Sequence, residues 1–172
     1  MIPERFQKLS LLSFNDPILR EALPEFDFAN PPEDPKVIKS VLLDAMYNWK
    51  GAGLSANQVG LPFRVFVFGM QENVEACFNP KIMGYSKETC VMPEGCLSLP
   101  GITLHLKRPI ACVLSFQTET GETKVLEYKG FSSRVIQHEY DHMEGRNFTM
   151  LASPLKMQRA VDAWKKKRRE HG

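Results

Sequence analysis

Residues 138–142 read His-Glu-Tyr-Asp-His, and this stretch constrains the fold of the chain more than any other. On an α-helix, residues four apart lie on one face. His138 and His142 then point toward one place, with Glu139 beside them. Two imidazoles and a carboxylate so arranged suit a divalent metal ion and a base for its water. Phe131 and Val135 continue that face with apolar side chains, so the face is expected to pack inward. Buried polar groups without partners are costly, and a metal would explain two buried histidines. The plainer reading is a pair of surface histidines on an amphipathic helix, since the pentapeptide constrains only three positions.

The rest of the pattern gives a fold class. Ser132 or Ser133 is expected to cap the motif helix, and Gly145 to end it. An earlier helix is predicted from Asp34 as cap and Pro35 as first residue. Val37, Ile38, Val41, Leu42, Ala45, Met46 and Trp49 mark its buried face, with Gly51 as its expected stop. Segments 64–69, 109–116 and 124–128 read as strands, the last two joined by a turn at Thr120-Gly121-Glu122. Ser153-Pro154 begins a terminal helix through Val161 and Trp164. Helix, strands, helix, helix, without internal repeats, is an α+β pattern in one domain, 1–172.

Composition excludes several classes. No apolar run approaches a membrane span. Met1-Ile2-Pro3-Glu4-Arg5 leads into no signal-type stretch, which argues for the compartment of synthesis, a cytoplasm. The four cysteines therefore read as free or metal-bound thiols rather than two disulfides. Cys77 and Cys112 sit in apolar runs and are expected in the core, whereas Cys90 lies in a loop-like region. Net charge is +2, unevenly spread. From Lys156 onward seven basic residues face two acidic ones, a net of +5 that leaves −3 for the remainder. Such a tail, at about 153–172, either is a solvated helix end or meets a polyanionic partner.

A catalytic metal needs a third protein ligand and one open position. Cys96, between Gly95 and Leu97-Ser98, offers a thiol from a turn, though a loop cysteine taken alone is more often incidental. Gly51-Ala52-Gly53-Leu54-Ser55-Ala56-Asn57-Gln58 has two glycines that permit close backbone approach, and Gln58 supplies an amide donor. Alone, that segment reads as a helix stop and a glycine turn.

Taken together and in order, residues 51–58, Glu94-Gly95-Cys96-Leu97-Ser98 and Gln137-His138-Glu139-Tyr140-Asp141-His142 resemble the three signature motifs of peptide deformylases. Asn15–Arg20 and Asn79–Ile82 are similar to further segments of that family, so the likeness runs from about residue 11 to 149. Three departures stand out: Ser55 where alanine is usual, Met143 for a common leucine, and Arg146–Thr149, which follows a Leu-Phe-x-Asp pattern only loosely.

The resemblance implies antiparallel sheets around a central helix that carries the metal motif, flanked by N-terminal and C-terminal helices. It implies that Cys96, His138 and His142 bind the metal and Glu139 is the base. Gln58 and the Leu97 N–H would stabilise the oxyanion, while Gly53, Gly95 and Val135 would meet the substrate. Asp141 would pair with Arg108 as support for the helix. The donor set suits Fe2+, Zn2+, Ni2+ or Co2+, and the resemblance favours Fe2+. The implied substrates are nascent formyl-Met peptides, with the ribosome as partner of the basic tail, and neither membrane nor DNA. A bacterial, viral or organellar copy would read alike. Two rivals remain at this point. One is a zinc protease with Asp162 as third ligand; the other is a non-catalytic relative that only binds N-termini.

Overall fold

In a computed structural model of the chain, residues 6, 9–70 and 73–171 are described. Met1–Arg5, read above for a signal segment, and Gly172, the last residue of the tail, lie outside them. Helix α1 spans Pro35–Asn48. Strands β1 (Gly53–Ser55), β2 (Val65–Met70), β3 (Asn73–Tyr85), β4 (Thr89–Cys96), β5 (Leu99–Pro109), β6 (Ala111–Gln117) and β7 (Thr123–Lys129) follow. Helices α2 (Gly130–Met143) and α3 (Pro154–His171) complete the order. This is the α+β arrangement that the sequence pattern called for.

Helix α1 begins as its sequence dictates, with the Asp34 carboxylate accepting from Lys36 N at 2.9 Å and Pro35 in the first turn. It does not stop at Gly51. The chain leaves the helix at Lys50, which takes the left-handed conformation at φ 56°, while Lys50 N bonds Tyr47 O and Gly51 N bonds Met46 O. Those two bonds satisfy the last carbonyls in a Schellman ending whose left-handed residue is a lysine. The buried face of α1 (Ile38, Leu42, Ala45, Met46) packs on Leu54, Val65, Val67 and Phe78.

Strands β1, β2, β3, β6 and β7 form one antiparallel sheet in the order β1-β2-β3-β6-β7. Helix α2 lies across it and buries Val135, Ile136 and Met143 against Phe66, Cys77, Leu114 and Phe116. Its start differs from the expected serine cap. Lys129 holds the cap position without a side-chain bond, and Ser133 sits one turn inside, accepting from Gln137 Nε2 at 2.9 Å. Gly145 does follow the helix end, at φ 65°, where backbone of Arg20 and Glu21 packs too close for any side chain.

The larger correction concerns residues 89–109. Cys90 is on a strand, not in a loop, because β4 and β5 form a separate two-stranded hairpin. Pro93, Gly95, Pro100 and Gly101 mask it in the sequence, since proline and glycine argue against strand interiors. Pro109 closes β5, so the next strand begins at Ala111. Inward residues alternate along both strands: Glu94 and Cys96 on one, Ile102, Leu104, Leu106 and Arg108 on the other. Helix α3 covers this hairpin with Met157, Ala160, Val161 and Trp164. All four cysteines are free, with Cys77 and Cys112 in the core. Among the described residues, no helix is long and apolar enough to cross a membrane.

Candidate active site

Three elements deliver the site. Helix α2 presents His138, Glu139 and His142 from successive positions of its buried face. Strand β4 presents Glu94 and Cys96, two residues apart and therefore on one face. The segment after β1 turns into a short 3-10 helix, Ala56–Val59, that carries Gln58.

The Cys96 thiol and the His138 and His142 rings lie with ligand atoms all within 4.8 Å of one another, and all three residues are buried. Cys96 Sγ is 3.5 Å from His142 Nε2. Two donors bound at roughly 2.0–2.3 Å at a tetrahedral angle would stand about that far apart. Nδ1 of His138 is 3.2 Å from Glu94 Oε2, so its other nitrogen is left to face the centre. These residues fit a divalent ion. Asp162 does not join them: it is exposed on α3, bonded to Gln158.

The ionisation pattern agrees with the geometry. Burial opposes a charge on His138, but hydrogen bonds with Cys96 and Glu94 outweigh it and push its pKa up to about 10. The same acidic neighbours that favour a proton there favour a metal cation. Burial, with the positive charges of His138 and Arg108, keeps His142 neutral, the form that ligates. Burial raises the Glu139 carboxyl above its ordinary range, against the opposing pull of His138 and the Ser55 hydroxyl.

Gln58 is oriented by the backbone three residues before it. Its carbonyl Oε1 accepts from Ser55 N at 3.0 Å, which turns the amide nitrogen toward Cys96 Sγ at 3.4 Å and Ser98 Oγ at 3.2 Å. Leu97 lies in the two-residue turn between β4 and β5. A cavity of about 390 Å³ opens over these groups, lined by Gly53, Gln58, Gly95, Leu97, Val135 and Glu139 among others. Gly53 has a specific reason to be glycine: a Cβ there would stand 2.6 Å from Glu139 Oε1 and 2.7 Å from Val135 Cγ1. Gly95 has more room, its nearest neighbour being Ile102 O at 3.5 Å.

Behind the histidines sits a charged cluster that sequence reading named only in part. Arg108 Nη1 meets Asp141 Oδ2 at 2.8 Å, the pair the motifs suggested. Arg108 also grips Glu94 with two bonds, at 2.7 and 2.9 Å. Arg134 adds a third at 2.7 Å and holds the Leu106 and Cys90 carbonyls. Burial alone would raise Glu94, yet His138 and the two arginines hold its carboxyl well below the usual carboxylate range. Arg134 and Glu94 went unassigned in the sequence. The only signals were an arginine on a buried helix face and a glutamate beside the cysteine.

The family model for polypeptide deformylase matches residues 8–158. The chain is 33% identical to the peptide deformylase of Bartonella tribocorum, over 94% of this chain and 93% of that one. Its fold resembles the crystal structure of a peptide deformylase from Synechococcus elongatus in complex with actinonin. The TM-score is 0.84, with 30% identity over 91% of this chain and 86% of that one. The crystal structure of the peptide deformylase from Thermotoga maritima is similar at TM-score 0.80, with 33% identity over 86% and 99% of the two chains.

Proposed function

Because this chain belongs to the polypeptide deformylase family, metal-dependent hydrolases that remove the formyl group from N-terminal formylmethionine, we propose the following residue roles for that reaction. Cys96, His138 and His142 hold the ion, and Glu139 moves the proton. The observation that carries this reading is the meeting of a thiol and two imidazoles beside a cavity that Cys96, His138, Glu139 and Gln58 line. An ion held there supplies Lewis acidity, which lowers the pKa of a water and polarises the formyl carbonyl.

Glu139 takes the water's proton at the oxygen that faces the cavity, and later gives it to the leaving amine. Its raised pKa suits both tasks. Gln58 Nε2 and the Leu97 N–H donate to the formyl oxygen as charge develops on it. The substrate backbone extends along Gly53 and Gly95, and Val135 forms part of the wall for the methionine side chain. Arg108 and Asp141 brace the helix from behind. The zinc-protease reading loses its third ligand with Asp162 so placed.

The resident ion is iron(II), which suits one thiolate and two imidazoles as zinc, nickel and cobalt also do. Protein purified without oxygen should release formate from a formylmethionyl peptide and contain about one iron per chain. No formate from fully metallated protein would overturn the hydrolase roles; zinc alone in active, anaerobic protein would overturn iron.

Residues 1–172 act as one catalytic domain in the compartment where formylated chains are made. The basic tail docks on the ribosome. Lys165, Lys166, Lys167, Arg168 and Arg169 are exposed, while Trp164 anchors the helix on the hairpin. Removing residues 165–172 should abolish co-sedimentation with ribosomes at low salt and leave turnover of a short peptide intact. Unchanged co-sedimentation would end the docking proposal.

A further inference from the structure

Ser55 stands where the deformylase pattern usually has alanine, a difference that size alone makes neutral. Its surroundings say otherwise. Residues 53 and 55 of β1 share one face, because side chains alternate along a strand. That face meets α2 at Glu139. Leu54 points the other way, into the core beneath α1. The two positions on the Glu139 side are thus a glycine that makes room and a serine that makes a bond.

The Ser55 hydroxyl lies 2.6 Å from Glu139 Oε2 and 3.3 Å from the Glu139 backbone oxygen. A hydroxyl has one proton to donate, and the shorter, charge-assisted contact takes it. Both residues are buried, Ser55 completely. The other carboxylate oxygen, Oε1, lies against Gly53 at the cavity. One oxygen of the base is therefore tied to the scaffold, and the other faces the reaction.

We propose that Ser55 is a positioning residue for Glu139, fixing the carboxylate so that Oε1 alone is offered to the reacting water. The inference rests on the role given to Glu139 above. A carboxylate on a flexible side chain has several rotamers, and proton transfer needs one of them. In a relative with alanine, packing alone would have to select it; here a hydrogen bond does.

The test is Ser55→Ala in metal-loaded protein, assayed on a formylmethionyl tripeptide beside Ser55→Thr and Glu139→Gln. Ser55→Ala should lower kcat about tenfold, with KM changed by less than about twofold and metal content the same. Ser55→Thr restores the hydroxyl and should restore most of kcat. The idea is overturned if Ser55→Ala keeps kcat within about twofold, if its loss tracks lost metal, or if the change falls on KM. Alanine removes one atom and leaves the β1 backbone bonds intact, so that variant decides the matter even should the threonine one fail to fold. If Ser55→Ala is silent while Glu139→Gln is inactive, only the Ser55 inference falls. If Glu139→Gln stays active, the role of Glu139 itself falls.

Discussion

Glu139→Gln should cost on the order of 10²–10⁴ in kcat, the usual worth of a positioned general base, while the metal stays bound. That loss corresponds to about 3–5 kcal/mol of barrier. The amide is nearly isosteric and can still accept the Ser55 hydroxyl, so packing around the side chain is kept. It cannot take a proton from water. Glu139 is also the member of the motif whose removal leaves all three ligand side chains untouched. The three measurements are formate release, metal per chain and melting temperature.

Stability should not fall with activity. Burial raises the Glu139 pKa, which means that the folded protein carries the charge of this carboxylate at a cost. A neutral amide removes that cost, so the metal-free variant should melt no lower than the metal-free parent. This is the signature of a residue retained for chemistry rather than for folding. A variant with kcat within tenfold of the parent would remove Glu139 from the mechanism. One that lost its metal would show that Glu139 acts through the ligands instead.

How far the sequence could reach depended on the distance over which each feature is encoded. The two histidines were legible because a helix fixes what lies four residues apart. Helix α1 was legible for the same reason, through its cap, its proline and its apolar stripe. Cys96 and Gln58 became candidates only when the three motifs were read together in order, since nothing local distinguishes a turn cysteine from an incidental one. The β4–β5 hairpin is hidden although Ile102-Thr103-Leu104-His105-Leu106-Lys107 alternates strictly, a strand signal outweighed by the prolines and glycines around it. What no local rule could supply was register and placement across the fold. Glu94 meets Arg108 from across the hairpin and Arg134 from a helix 40 residues on. Ser55 meets Glu139 over 84 residues.

That nonlocal cluster yields the second large effect. Glu94→Gln should destabilise the protein by about 3–5 kcal/mol, because it strands the buried Arg134 cation and takes one of the two carboxylates from Arg108. The Glu94 and Arg134 side chains are each 3% exposed and that of Arg108 is 6%, so water cannot replace the missing charge. Arg108 keeps Asp141, but Arg134 keeps only carbonyl oxygens and the Cys90 thiol. At about 2–4 °C per kcal/mol for a chain of this size, the melting temperature should drop by roughly 10 °C. The half-exposed pair Lys39–Glu119, at 2.8 Å, is the control: Glu119→Gln should cost no more than about 1 kcal/mol. The sign with pH follows from the depressed carboxyl. Folding lowers the Glu94 pKa below its ordinary 4.5, so its contribution is complete above that value and is lost as the pH falls toward the folded one. The gap between parent and variant should therefore be widest near neutrality and close in acid. His138 loses its carboxylate partner in the same change, and metal affinity should fall about 10–100-fold. Removing the Arg134 charge as well, in Glu94→Gln with Arg134→Met, should recover part of the stability but none of that affinity. A cluster serving folding alone would recover both or neither. Separate recovery would mean that Arg134 is there to keep Glu94 charged, and Glu94 to hold His138 in the orientation a metal requires.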